Sequence, residues 1–121
     1  MDPVTTILTA LAVAGGKVGG QAIADGYAAL RGLILRKFGS RRTLEPAIAD
    51  YASDPEGQTQ VMAEELQTAG VIDDQEVLER AQQLIRVARE ADPVRTDALV
   101  NEIRARNVAV IDINKGPITF N

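Results

Sequence analysis

The sequence predicts an all-α fold, a small bundle of four to five helices with a short C-terminal tail that is β-type or disordered. Two observations lead to this prediction. Asp-Pro pairs recur along the chain, and apolar residues repeat at intervals of three and four until the last fifteen residues. The chain has 121 residues, 45% of them hydrophobic, which suffices for one core of ordinary size.

Four Asp residues mark predicted helix starts. An Asp can cap free backbone N–H groups, and a Pro directly after it has a fixed φ that suits the first helical turn. Three pairs have this form: Asp2-Pro3, Asp54-Pro55 and Asp92-Pro93. The fourth start is predicted at Asp73, because Glu76 follows it at the spacing of a capping box.

The first third of the chain contains an apolar segment and then an amphipathic one. Residues 3–24 form either one helix or two helices joined at Gly15-Gly16, since glycine is unfavourable inside a helix. Residues 25–38 form the next helix, which ends before Gly39. Its apolar residues recur at helical spacing: Tyr27, Leu30, Leu33, Ile34 and Phe38.

Three more helices follow in the middle of the chain. A short one covers residues 44–52, and another covers residues 55–69 before Gly70, a residue type that often ends helices. Residues 73–92 have the clearest amphipathic pattern, with one apolar face. That face consists of Val77, Ala81, Leu84, Ile85 and Ala88.

The last fifteen residues have a different character. Residues 107–121 are rich in β-branched side chains and predict two short extended pieces, 108–113 and 118–120, around a turn at 114–117. We therefore expect a helical domain at 1–106 and a separate tail. Short segments of high β-propensity and low charge can stack into cross-β. The candidate self-assembly residues are Val110, Ile111, Ile113, Ile118 and Phe120.

The composition excludes most familiar enzyme sites. The chain has no Cys and no His, so it lacks thiolate nucleophiles and the commonest general base and metal ligand. We expect no enzyme activity, no catalytic residue, no cofactor and no metal site. The N-terminus lacks the basic region of a secretory signal, which predicts a cytoplasmic protein.

The charge is divided unevenly along the sequence. Residues 1–44 contain six basic and two acidic side chains, a net charge of +4, whereas residues 45–121 contain seven basic and fifteen acidic ones, a net charge of −8. Either the two parts attract each other within one bundle, or the basic part meets an anionic partner. Nucleic acid is a poor candidate for that partner, because the acidic part repels phosphates.

The segment of residues 3–24 also has the length of a membrane helix. As one helix it would span about 33 Å, close to the apolar thickness of a bilayer. The alternative places the same residues in a soluble core. The candidate insertion residues are Ile7, Leu8, Leu11 and Val13. Close helix packing is expected at glycines with small-xxx-small spacing: Gly15, Gly16, Gly19 and Gly20. Anionic lipid headgroups are expected to contact Arg31, Arg36, Lys37, Arg41 and Arg42.

Several segments resemble one known family. They are residues 2–16, which begin Asp-Pro-Val-Thr-Thr-Ile-Leu and end Ala-Gly-Gly, residues 27–34, residues 36–39 and the β-type tail. Together they resemble the bacterial Bell family, small helical effectors analogous to the fungal HeLo and HELL cell-death domains. Members of that family are often encoded beside NLR-like signalling ATPases.

The resemblance implies a device in two parts. A helical bundle would contain a membrane-targeting N-terminal helix, and a C-terminal amyloid signalling motif would copy its cross-β fold from a matching motif on the ATPase. Some of these motifs are similar to the RHIM of animal necroptosis. In this chain the corresponding stretch is residues 108–114 with Gly116 and residues 118–121. The implied partners are an NLR-like or STAND ATPase, further copies of the chain and, on activation, membrane lipid.

The function expected from these features is that of a dormant cell-death or antiphage effector. Clustering through the tail would release the N-terminal helix, which would permeabilise the inner membrane. The alternative is a non-enzymatic helical adaptor, whose tail docks on a partner by adding a strand to a sheet edge.

Overall fold

Six α-helices make up the part of the chain that the structure describes. The structure is a computed structural model. It describes residues 2–13 and 20–119, with the side chains of residues 107–119 left outside that description. The helices are α1 (Pro3–Ala12), α2 (Gln21–Phe38), α3 (Leu44–Ser53), α4 (Pro55–Ala69), α5 (Gln75–Ala91) and α6 (Pro93–Thr119). The predicted all-α bundle is confirmed, with one helix more than the expected upper number.

The three Asp-Pro helix starts are confirmed. In each, the Asp carboxylate accepts a hydrogen bond from the backbone N–H three residues later, at 3.1 Å, and the Pro occupies the first helical position. The donors are Thr5, Gly57 and Arg95. The start of α4 also follows directly on the end of α3, so that one residue, Asp54, closes one helix and opens the next.

The predicted capping box at Asp73 is wrong by one residue. Gly70 ends α4 with a left-handed φ of 83° and leads into a single 3-10 turn, Val71–Asp73. Because that turn includes Asp73, the cap of α5 is Asp74, which accepts from the backbone N–H of Val77 at 3.0 Å. The predicted apolar face of α5 is buried as expected.

The apolar N-terminal segment forms a separate helix. α1 ends at Ala12, α2 begins at Gln21, and Gly20 before it has a φ of 127°, outside the helical region. Residues 3–12 and 21–24 therefore belong to two different helices, and the second begins four residues before the predicted start at residue 25; the predicted joint at Gly15-Gly16 lies outside the described residues. The predicted packing residues Gly15, Gly16 and Gly19 lie outside the described residues. None of the helices in the described part of the chain has the length and apolarity that a membrane crossing requires.

The tail differs from its sequence prediction. Where two extended pieces and a turn were expected in residues 108–120, the backbone of 107–119 continues α6 as a helix. The physical reason is that α6 is already capped at Asp92 and packed through Ile103, so added residues other than Pro117, which has no backbone N–H, gain a hydrogen bond without a new nucleation step. The side chains of the predicted self-assembly residues, and all of Phe120, lie outside the described residues.

α1 occupies the centre of the bundle. It packs against α2, α3, α4, α5 and α6, and its residues from Val4 to Ala12 are all buried. The surrounding helices turn their apolar faces inward onto it, including Ile34 of α2 and Leu66 of α4. The core is therefore arranged around the most apolar helix of the chain.

Candidate functional site: the buried helix α1 and the basic surface of α2

The predicted membrane-insertion residues are core residues in this fold. Ile7, Leu8 and Val13 have no exposed surface, and Leu11 is 1% exposed. A helix that is apolar on all sides is typical of the interior of a protein or of a membrane. The soluble-core alternative therefore describes the present conformation, in which none of these four side chains can reach a bilayer.

The hydroxyls of two threonines in α1 donate hydrogen bonds to Asp2, the residue that caps this helix. The Thr5 hydroxyl donates to Oδ1 of Asp2 at 2.6 Å, and the Thr6 hydroxyl donates to the Asp2 carbonyl at 2.8 Å. Burial by itself raises the pKa of Asp2, but the hydrogen bonds from the side chain and backbone of Thr5 outweigh it and bring that pKa below its ordinary value. The first turn of α1 is thus held by a charged cap.

A hydrogen bond from Tyr51 joins α3 to α1. Its hydroxyl donates to the backbone carbonyl of Leu8 at 2.8 Å, and its ring has no exposed surface. Burial raises the pKa of Tyr51 far above its ordinary value, against a smaller opposing effect of Arg106. The Tyr51 hydroxyl is therefore harder to ionise than that of an exposed tyrosine. No motif in the sequence marks Tyr51 for this role.

Two buried hydroxyls in the described residues have no hydrogen-bond partner. They belong to Thr9 in α1 and Thr96 in α6, and both residues have no exposed surface. Leaving a buried hydroxyl without a partner costs about 1 to 3 kcal/mol. The central helix and one of the helices that cover it therefore each contain a locally unfavourable group.

Arg106 connects α6 to α4. Its guanidinium donates to the carbonyl of Pro55 at 3.3 Å and to the hydroxyl of Thr59 at 3.1 Å, and it forms an ion pair with Glu102 at 2.6 Å. Because Arg106 precedes the tail directly, α6 is attached to the bundle at the predicted domain boundary.

Three of the five predicted lipid-contact cations are paired with carboxylates from the acidic part of the chain. Arg31 lies 3.4 Å from Glu45 of α3. Lys37 lies between Asp74 and Glu76 at 3.1 and 2.8 Å. These pairs join residues of opposite charge from the two parts of the sequence, as the expectation of attraction within one bundle requires.

The third pair contains the least exposed carboxylate of this group. The Arg41 guanidinium donates to Glu65 of α4, and the Thr43 hydroxyl donates to the same carboxylate at 2.7 Å. The Glu65 side chain is 11% exposed. The pKa of Glu65 is lowered by the hydrogen bond from Arg41, which outweighs the effect of burial. Glu65 ties residues 39–43, between α2 and α3, to α4.

The cluster at Lys37 also changes pKa values. The hydrogen bonds that Lys37 donates to Glu76 and Asp74 raise the pKa of Lys37. The pKa of Asp74 is lowered first by the N–H of Val77 and then by Lys37, and that of Glu76 is lowered by Lys37. All three groups are therefore charged at neutral pH.

The remaining two candidate cations, Arg36 and Arg42, are exposed and make no ion pair with the described residues. The predicted lipid surface is thus divided into paired and unpaired cations. A sequence signal for the Arg41–Glu65 pair did exist, since Glu65 stands at helical spacing among apolar residues of α4, between Met62 and Leu66. An acidic residue on an apolar face commonly has a buried partner.

Comparison with known proteins assigns the family. The model of the Het-E N-terminal domain matches residues 1–119. The chain belongs to this family. Het-E N-terminal domains are associated with cell death and with NLR-related effector systems, which supports the broad resemblance but not the RHIM-like motif of the tail. Neither the curated proteins nor the solved structures contain a match.

This Het-E N-terminal domain has two features that bear on the expectations from its sequence. One is the buried helix α1, and the other is the basic surface of residues 31–42. Within the described residues, no group of three or more acidic side chains is placed to hold a metal ion.

Proposed function

We propose that this Het-E N-terminal domain is the dormant form of a membrane-permeabilising cell-death effector. The observation that carries the proposal is the position of α1. The most apolar helix of the chain is enclosed by all five other helices of the described bundle, so the segment suited to lipid is kept from it by the fold. The chain acts without a catalytic group or cofactor, as a cytoplasmic protein that moves to the inner membrane.

The apolar side chains of α1 are stable in the protein core or in lipid and unstable in water. Each fully buried Leu or Ile is stabilised by about 1.5 to 3 kcal/mol relative to water. Lipid tails are as apolar as Leu, so a bilayer satisfies these side chains as the core does. Once the bundle opens, α1 therefore moves into lipid rather than into water.

The tail is the proposed trigger. In the proposal, residues 107–121 assemble with a matching motif on a STAND ATPase and with further copies of the chain. The tail continues α6, and α6 packs on α1. A change of the tail from helix to strand therefore acts on a helix that covers α1. The inserted segment is residues 3–24, since α1 alone, at about 15 Å, reaches half of a bilayer.

The experiment follows α1 during clustering. The chain has no Cys, so a single thiol reports its own position. Thr9→Cys places it in the middle of buried α1, where a thiol needs no hydrogen-bond partner, and Ala28→Cys is an exposed control on α2. Chains are clustered with a fused oligomerisation module or with fibres of a peptide of residues 107–121, in the presence of phosphatidylglycerol vesicles filled with dye.

We expect the Thr9→Cys thiol to be protected from a water-soluble reagent before clustering and to carry an attached fluorophore into lipid afterwards, together with dye release. The Ala28→Cys thiol should react at all stages. Clustering without dye release from the vesicles would reject the effector and favour the adaptor. Dye release while a fluorophore at Thr9→Cys is not reached by a quencher attached to the lipid tails would assign permeabilisation to another segment. Dye release on clustering by the module, without dye release on clustering by the peptide fibres, would reject the tail as the trigger.

A further inference from the structure

We propose that acidic side chains of α3, α4 and α5 mask the basic surface from anionic lipid in the dormant fold, leaving Arg36 and Arg42 as its first contacts with a bilayer. The inference rests on the proposed function, because it names how the same basic surface meets its membrane. Its starting point is that three cations of residues 31–42 form an ion pair with a carboxylate, whereas Arg36 and Arg42 form no ion pair within the described residues.

The masking carboxylates are held in place by other contacts. Asp74 caps α5 through the N–H of Val77, and Glu65 accepts from Thr43 as well as from Arg41. These acids therefore stand opposite the cations whether or not a membrane is present. Glu76 and Glu45 are more exposed, and each contributes one contact, to Lys37 and Arg31.

The balance of charges sets how strongly the basic surface attracts anionic lipid in the dormant fold. Five cations face four carboxylates, so the surface carries a net charge of +1, in place of the +5 that the cations alone would present. A lipid headgroup and a protein carboxylate offer a guanidinium the same chemistry, that of an oxyanion. The protein's own acids therefore compete with the membrane for Arg31, Lys37 and Arg41.

The protein's carboxylates and the anionic headgroups bind these cations with similar free energies. An exposed ion pair is weak, and a Lys or Arg at an anionic membrane surface gains a similar amount. A moderately anionic bilayer therefore binds Arg36 and Arg42 only, whereas a strongly anionic one also displaces the acids. The dormant domain consequently responds steeply to the anionic lipid content of the bilayer.

The test compares two neighbouring glutamates of α4. Glu65→Gln removes the carboxylate that masks Arg41, while the amide oxygen still accepts a hydrogen bond. Glu64→Gln removes the same charge one residue away, at an exposed side chain without an ion pair in the described residues. Binding of the unclustered chain to vesicles of phosphatidylglycerol in phosphatidylcholine is measured by co-sedimentation, with pure phosphatidylcholine as the neutral surface.

We expect Glu65→Gln to raise the partition coefficient on anionic vesicles about fivefold, the value of one freed cation, and Glu64→Gln to leave it nearly unchanged. Glu76→Gln should give a smaller rise, since Asp74 still holds Lys37. Equal rises for Glu65→Gln and Glu64→Gln would overturn the proposal, because net charge alone would then account for binding. The proposal would also be overturned if neither Glu65→Gln nor Glu76→Gln raised the partition coefficient.

A second variant tests the unpaired cations. Arg36→Gln with Arg42→Gln should remove most binding of the dormant chain to anionic vesicles, and unchanged binding would overturn their assigned role. Both readouts concern binding before clustering. They can therefore fail while clustered chains still release dye, and they can succeed where dye release fails.

Discussion

Individual hydroxyls decide how firmly α1 is held in the core. Thr6 and Thr9 are both buried in α1, yet the Thr6 hydroxyl donates to the carbonyl of Asp2 and the Thr9 hydroxyl has no partner. Valine has nearly the shape of threonine, so replacing each in turn isolates the hydroxyl.

We expect Thr9→Val to raise the free energy of unfolding by about 1 kcal/mol, because it removes a buried polar group that has no partner. Thr6→Val should lower it by about the same amount, because it removes a hydrogen bond. Urea unfolding followed by circular dichroism measures both. Shifts of the same sign in the two variants would show that side-chain packing, rather than the hydroxyl, decides the outcome.

Local signals determine where the helices begin. Asp2, Asp54 and Asp92 cap their helices as the sequence predicts, since the interaction involves residues only three positions apart. The prediction failed at α5, where two consecutive aspartates compete. The 3-10 turn after Gly70 gives the cap to Asp74, and local spacing does not contain that information.

The two aspartates provide a matched test of the cap. Asp74→Ala should lower the melting temperature by a few degrees, because the first turn of α5 loses its cap. Asp73→Ala should leave it nearly unchanged. Asp74→Asn retains an oxygen for the N–H of Val77 and should lie between the two, since it loses only the charge that pairs with Lys37. A larger fall for Asp73→Ala than for Asp74→Ala would contradict the assignment.

At the scale of the whole molecule, the basic first third and the acidic remainder meet in ion pairs. The carboxyls of Glu65, Asp74 and Glu76 have pKa values lowered by the contacts that they make in the fold. A carboxyl with a lower pKa in the folded state binds fewer protons there than in the unfolded chain, so acid favours unfolding.

We therefore expect the free energy of unfolding to be nearly constant at neutral pH and to fall as the pH drops below the ordinary values, 4.5 for Glu and 3.8 for Asp, through the lowered folded values. Urea unfolding over a pH series measures this. Glu65→Gln should make the acid limb shallower, and Glu64→Gln should leave it as in the parent chain. An equally steep limb in Glu65→Gln would show that Glu65 has no part in it.

The tail adopts a different secondary structure from the one that its own residues favour. The β-branched residues of 107–119 predict strands, but the backbone is helical as an extension of α6. A helix that is already nucleated extends at little cost. Propensity in a short segment therefore yields to the structure of its neighbour, and the predicted cross-β state remains a property proposed for assembled chains.

The sequence by itself determined the all-α class, three of the helix caps, the ends at Gly39 and Gly70, and the buried face of α5, because these depend on residues within one or two turns of each other. Only the tertiary structure decided that α1 is the centre of the bundle, that Tyr51 and Glu65 hold the elements around it, and which cations are paired. Those results depend on contacts between residues far apart in the chain, where an apolar pattern shows that a face is buried but not against what.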